Sequence, residues 1–208
     1  AQYLAYICDL DGTPHFADPR NALEAVVKRF QSELNMTPVG AVEVEFFLMD
    51  RASAIAGEPR APKSLINEHR PQHYQAYYLQ DLDDFAPFFK DLYAYCEAQG
   101  LPAKTLISEY APGQMEIVLR HRADVLKACD EGIMLKRLIK ATAEKHGMAA
   151  TFMAKPYAQW TGSGMHIHVS LGDEKGNNLF AADDPLQNEL LLHSIGGLKA
   201  AMAESMLI

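Results

Sequence analysis

The stretch from Ala41 to Met49 alternates between apolar and polar positions. Val42, Val44, Phe46 and Leu48 fall on one side of an extended chain, and Glu43, Glu45 and Phe47 on the other. A period of two is the mark of a β-strand with one buried face. Glu43 and Glu45 therefore emerge from the same face, roughly 6.5–7 Å apart along the strand. Like charges that close repel, and a divalent cation would offset them. A half-exposed sheet with a solvated outer face carries the same pattern, so the pair alone leaves both readings open.

Alternation returns at 165–171, where Met165, Ile167, Val169 and Leu171 oppose His166, His168 and Ser170. Further strands are predicted at 3–9, 104–110, 114–120 and 149–155. Asp18-Pro19 supplies an N-cap and a proline at the first helical position, which predicts a helix to about Leu34. Pro38-Val39-Gly40 reads as a break. Residues 51–75, rich in Pro, Arg and His, read as a long loop. Helices are predicted over 83–99, closed by Gly100, over 124–146, ended by Gly147, and from about 185. Strands and helices in mixed order predict an α+β fold.

The chain has 208 residues, 49% of them hydrophobic, which is enough for one sizeable core and excludes a disordered chain. A net charge of -8 argues against a nucleic-acid surface. Three cysteines without a C-x-x-C pair argue against a disulfide framework or a zinc ribbon. With no apolar run long enough to cross a bilayer and no leader-like start, the reading is a cytoplasmic protein without a membrane partner.

Two further groups of residues carry chemistry. Glu109 and Glu116 flank the Ala111-Pro112-Gly113 turn between two predicted strands, and a hairpin return would bring them together. Gln114 shares a strand face with Glu116 and is placed to steady it. His166 and His168 share a face, and such a pair can hold one ion, or serve a metal and a phosphate separately. Gly162-Ser163-Gly164 just before them lets a substrate approach the backbone. Carboxylates with an imidazole suit Mg²⁺ or Mn²⁺ better than Zn²⁺. Ions of that kind neutralise phosphate charge in phosphoryl transfer.

In these residues the chain resembles the glutamine synthetase family. Val42-Glu43-Val44-Glu45-Phe46-Phe47-Leu48 is similar to its first metal strand, and Ser108-Glu109-Tyr110-Ala111-Pro112-Gly113-Gln114-Met115-Glu116 to its second metal motif. Thr151-Phe152-Met153-Ala154-Lys155-Pro156 followed by Gly162-Ser163-Gly164-Met165-His166-Ile167-His168-Val169-Ser170 resembles its ATP-binding signature. The resemblance implies a curved antiparallel sheet flanked by helices. Residues 1–16 would be the end of a small N-terminal β domain, and 17–208 the N-terminal part of the catalytic domain. By the same resemblance, Glu45, Glu109 and Glu116 hold one Mg²⁺ or Mn²⁺, and Glu43 and His166 a second. His168 and Ser170 contact ATP, and Thr161 and Gly162 the glutamate substrate. The implied reaction joins glutamate to ammonia or an amine through γ-glutamyl phosphate, in a ring homo-oligomer.

The chain also departs from the family. Thr161 stands where the family has Asn, Trp160 beside it is unusual for glutamine-forming enzymes, and Lys104 occupies an acidic, nucleotide-contacting position. Glu97-Ala98-Gln99-Gly100-Leu101-Pro102 and Arg120-His121-Arg122 are closer to the γ-glutamyl-polyamine synthetase branch, which points to an amine larger than ammonia. The resemblance places substrate-binding arginines and a further metal ligand beyond Ile208, and most of the small domain before Ala1. The chain thus reads as truncated at both ends and inactive alone. Two other readings are a non-catalytic member of the fold and a zinc hydrolase built on His166 and His168. The first predicts missing ligands; the second predicts a further histidine cluster, and His69, His73, His121 and His146 have no zinc-like spacing.

Overall fold

A computed structural model of the protein describes residues 3–206, which divide into two compact units, 40–168 and 3–39 with 169–206. The element order is α1 (Pro19–Leu34), β1 (Thr37–Asp50), α2 (Arg51–Ile55), α3 (Leu79–Asp84), α4 (Ala86–Gln99), β2 (Ala103–Ser108), β3 (Gln114–Leu119), α5 (Val125–Lys145), β4 (Met148–Thr151), β5 (Met165–Gly172) and α6 (Glu189–Ser205).

The five strands form one sheet in the order β2-β3-β1-β4, with β5 also paired to β1. The β2–β3, β3–β1 and β1–β4 pairings are antiparallel, and the fold is α+β. Alternation on β1 sorts its side chains as the sequence predicts. Val42, Val44, Phe46 and Leu48 enter the core with Met115, Ile117 and Leu119 of β3. Phe88, Phe89 and Leu92 of α4 and Leu135, Ile139 and Ala143 of α5 pack against them. The helices thus occupy one face of the sheet, and Glu43, Glu45, Gln114 and Glu116 are left on the other.

The unit that holds α1 and α6 begins with α1, whose cap is Asp18: its carboxylate accepts from the Arg20 and Asn21 N–H groups. Asp173 accepts from the backbone of Lys175 and Asn177 at the turn after β5. Asn188 caps α6 by accepting from Leu191.

Six readings need correction, the first being the loop predicted over 51–75, which opens with α2 because the Asp50 carboxylate accepts from the Ser53 N–H and caps a short helix. The chain does not break at Pro38–Gly40, because Gly40 pairs with Arg122 in both directions, at 2.8 and 2.7 Å, and carries β1 onward. Pro38, second in the strand, sits where a missing N–H is tolerated. Residues 3–9 form no strand, only a bridge between Cys8 and Pro14; a proline partner cannot donate to extend a ladder. The helix predicted over 83–99 begins earlier and divides at Phe85, before Pro87. The strand predicted to reach residue 155 ends at Thr151, where the Thr151 Oγ1 accepts from the Met153 N–H and turns the chain. On β5, Met165, Ile167 and Val169 are exposed, because the core cluster places no residue against them.

Candidate active site

Register builds the site. Antiparallel pairing sets Glu45 directly opposite Glu116, and Glu43 opposite Val118, one pleat along. Cβ atoms facing across such a pair lie about 4.5–5.5 Å apart, and like charges there are unfavourable. Glu109 follows β2 at the mouth of the hairpin, whose turn closes through the Glu109 N–H donating to the Gln114 carbonyl at 2.8 Å. Gly113 makes that turn at φ +78°, and a Cβ there would lie 2.8 Å from the Leu48 carbonyl. No L side chain fits the position comfortably.

The histidines reach the carboxylates from β5. His166 Nδ1 lies 3.2 Å from Glu43 Oε1, and His168 Nε2 lies 2.6 Å from Glu43 Oε2. An ionised carboxylate can only accept, so each facing ring nitrogen carries the hydrogen. Donor atoms of Glu43, Glu116 and His166 all lie within 4.8 Å of one another, and they are the one such group among the described residues. The structure thus joins Glu116 to the pair Glu43 and His166, whereas the resemblance groups it with Glu45 and Glu109.

The electrostatics of the cluster are those of a site short of positive charge. Burial, then the hydrogen bond to Glu43 and the charges of Glu43, Glu109 and Glu45, push the Glu116 carboxyl up to about 8. Burial also raises Glu109, with the charges of Glu45 and Glu43 adding to it. Burial works to raise Glu43 too, but its hydrogen bonds to His168, Glu116 and His166 prevail and hold it below the usual carboxylate range. A protonated Glu116 thus donates to an ionised Glu43. Two carboxylates and an imidazole form a donor set that fits Mg²⁺ or Mn²⁺, and a cation would replace the shared proton.

Gln114 organises the other half of the site. Its buried amide N–H₂ donates to Glu45 Oε2 at 3.0 Å and to the Gly162 carbonyl at 2.9 Å. Its amide oxygen accepts from the Thr161 hydroxyl at 2.5 Å and from the Ala111 N–H at 3.3 Å. Its partner is therefore Glu45 and not Glu116: β3 places it opposite Phe47, beside Glu45 on the shared face. Both N–H donors and both acceptor directions of this amide are used, so its orientation is fixed. Gly164 lies close by, and a Cβ on it would meet Glu45 Oε1 at 2.8 Å and His166 Nε2 at 3.2 Å. Gly162 presses on the Ala154 carbonyl, where a Cβ would come within 2.6 Å. Ser170 falls in the other compact unit, further along β5.

Sequence reasoning passed over a second cluster. Phe47, on the polar side of β1, packs with Tyr157 and Trp160. The Phe47–Tyr157 ring centroids are 5.1 Å apart and the Tyr157–Trp160 centroids 4.1 Å. Its one trace in the sequence is Phe47 itself, an aromatic residue among glutamates. Also unforeseen is buried Asp81, which accepts from Ser108 at 3.0 Å and meets His73 at 3.1 Å, and so ties the loop before α3 to the end of β2.

Comparison with known proteins matches this architecture. Residues 16–208 match the glutamine synthetase catalytic domain. Gamma-glutamylputrescine synthetase PuuA of Escherichia coli (strain K12) is 38% identical over 99% of this chain and 43% of its own length. Glutamate–isopropylamine ligase of a Pseudomonas species is 35% identical over 87% of this chain and 38% of its own. A solved GmaS/ADP complex superposes with a TM-score of 0.70 at 30% identity, covering 84% of this chain and 38% of that one. This chain spans less than half the length of these relatives. The match over all but its first residues makes the chain a member of the glutamine synthetase family.

Proposed function

We propose that this chain carries the metal and phosphate face of an ATP-dependent ligase that joins the γ-carboxyl of glutamate to ammonia or an amine. The observation that carries the reading is the convergence of Glu43, Glu116 and His166 donor atoms within 4.8 Å on the polar face of the sheet. Residues 1–16 belong to the end of a small N-terminal domain, and 17–208 to the first part of the catalytic domain.

Glu43, Glu116 and His166 would hold one Mg²⁺ or Mn²⁺, and Glu45 and Glu109 would join in binding a second. When bound, these ions offset the charge of the ATP phosphates and of the incoming carboxylate. A γ-carboxylate oxygen displaces ADP from the γ-phosphorus to give γ-glutamyl phosphate. The amine nitrogen then attacks the acyl carbon, phosphate leaves and the nitrogen loses its proton. Thr161 and Gly162, fixed by the Gln114 amide, position the glutamate. His168 faces the nucleotide, and its imidazole, held by Glu43, is aimed before ATP arrives. The working assembly is a ring of copies in the cytoplasm.

Phosphate release by the complete protein with ATP, glutamate and a panel of amines tests the reading. We expect glutamate-dependent release that Glu116→Gln reduces by at least about 100-fold. Release that ignores glutamate, or survives Glu116→Gln, would sink it.

A further inference from the structure

A cavity of about 320 Å³ opens beside this site, lined among others by Tyr74, Pro112, Tyr157, Gln159 and Trp160. Its walls belong to the loops that carry the site. Pro112 lies between Glu109 and Gln114 in the hairpin turn, and Tyr157–Trp160 runs directly into Thr161 and Gly162. Tyr74 bridges the two loops: its ring centroid is 5.9 Å from that of Tyr110, which follows Glu109, and 6.3 Å from that of Trp160. The pocket is therefore walled by the two loops that carry Glu109, Thr161 and Gly162.

The charges around the cavity select its ligand. Among the described residues, no carboxylate lines it. The cations there, Arg60 and Arg70, are engaged with Glu58 at 3.1 Å and Asp50 at 3.3 Å. Tyr157 is almost fully buried, and its hydroxyl has no hydrogen-bond partner. Burial pushes its ionisation up to about 12, so it stays neutral. An aromatic box of this kind recognises an apolar body. It offers no unpaired carboxylate to a second ammonium group, since Glu58 and Asp50 are already engaged by the two guanidinium groups.

We propose that this cavity holds the tail of the acceptor, and that the acceptor is a primary monoamine with an uncharged alkyl or aryl tail. A diamine, of the kind named in the Escherichia coli relative, is disfavoured. The inference rests on the ligase reading, and it assigns Tyr74 and Trp160 to acceptor selection.

Trp160 is the chain's single tryptophan, so its fluorescence reports the cavity without interference. Isopropylamine, butylamine, benzylamine and putrescine should be titrated against the folded 208-residue chain. We expect a saturable change with the three monoamines and none with putrescine over the same range. Tyr74→Ala should weaken the monoamine response about tenfold or more. Gln159→Glu places a carboxylate in the lining and should bring in a putrescine response. In the complete protein, Tyr74→Ala should raise the KM for the monoamine by a similar factor and leave the KM for ATP unchanged.

The inference is overturned by a chain that folds but gives no saturable signal with any monoamine, or by a putrescine response in the unmodified protein. Its failure is distinct from failure of the ligase reading. Turnover with a monoamine whose KM ignores Tyr74→Ala removes the cavity's role and keeps the ligase. Fluorescence saturation by monoamines in a protein that never forms ADP from ATP and glutamate keeps the cavity and removes the ligase.

Discussion

At the scale of the residue, the most exposed dependency is on Gln114. It holds Glu45, Gly162 and Thr161 at once. Gln114→Ala removes the bonds to a half-buried hydroxyl, a carbonyl and a carboxylate, at a cost of about 1–3 kcal/mol. We expect a lower melting temperature, and in the complete protein a raised KM for glutamate with a smaller effect on ATP. Equal loss on both substrates would show that Gln114 merely supports the fold. Gly164→Ala tests the opposite side of Glu45, since the added methyl would crowd Glu45 Oε1 and His166 Nε2. Calorimetric titration should show Mn²⁺ binding weakened by at least about tenfold while the circular dichroism stays unchanged; wild-type affinity would refute the placement. Gln114 was visible in the sequence as a polar residue on a strand face, but its partner was not, because choosing Glu45 over Glu116 needs the register of β3 against β1.

At the scale of the element, β1 decides the architecture, with one face in the core and the other in the site. Its apolar face was legible from Val42, Val44, Phe46 and Leu48 alone, since a two-residue period has one interpretation. So were α1 and α5, through the Asp18 cap and the long amphipathic run. Where long-range pairing rescues a residue of poor local propensity, as Arg122 does for Gly40, sequence reasoning had no signal. The exposed apolar positions of β5 were illegible for a like reason: alternation says which residues share a face, not whether a layer covers it. The β2–β3 turn supplies a prediction at this scale. Gly113→Ala meets both a positive φ and the Leu48 carbonyl. It should destabilise the fold by at least about 1–3 kcal/mol in chemical denaturation, and a neutral result would mean the hairpin is built differently.

For the whole molecule, the crowded carboxylates tie stability to pH and to divalent ions. Glu116 titrates near 8 in the fold, against an ordinary value of 4.5. The folded state therefore favours the protonated form, whose stabilisation is complete below the ordinary value and is lost as pH rises through 8. Glu109, also raised, acts in the same sense. Without divalent ions, we expect the melting temperature to fall between about pH 5 and pH 8, and Mg²⁺ or Mn²⁺ to reverse most of that fall. A flat profile in EDTA would mean these carboxylates are not mutually destabilising. Glu43 has the opposite sign: its lowered pKa gives stability that is present above the ordinary value and lost on acidification through its folded pKa.

The pair of imidazoles gripping Glu43 has a kinetic corollary. Because His166 and His168 each donate to one oxygen of that carboxylate, an arriving cation must compete with the two rings for its lone pairs. Uptake should then run by exchange, with an observed rate that levels off at high Mn²⁺ where the letting-go of the rings sets the pace. Removing the His168 ring should lift that plateau in stopped-flow traces.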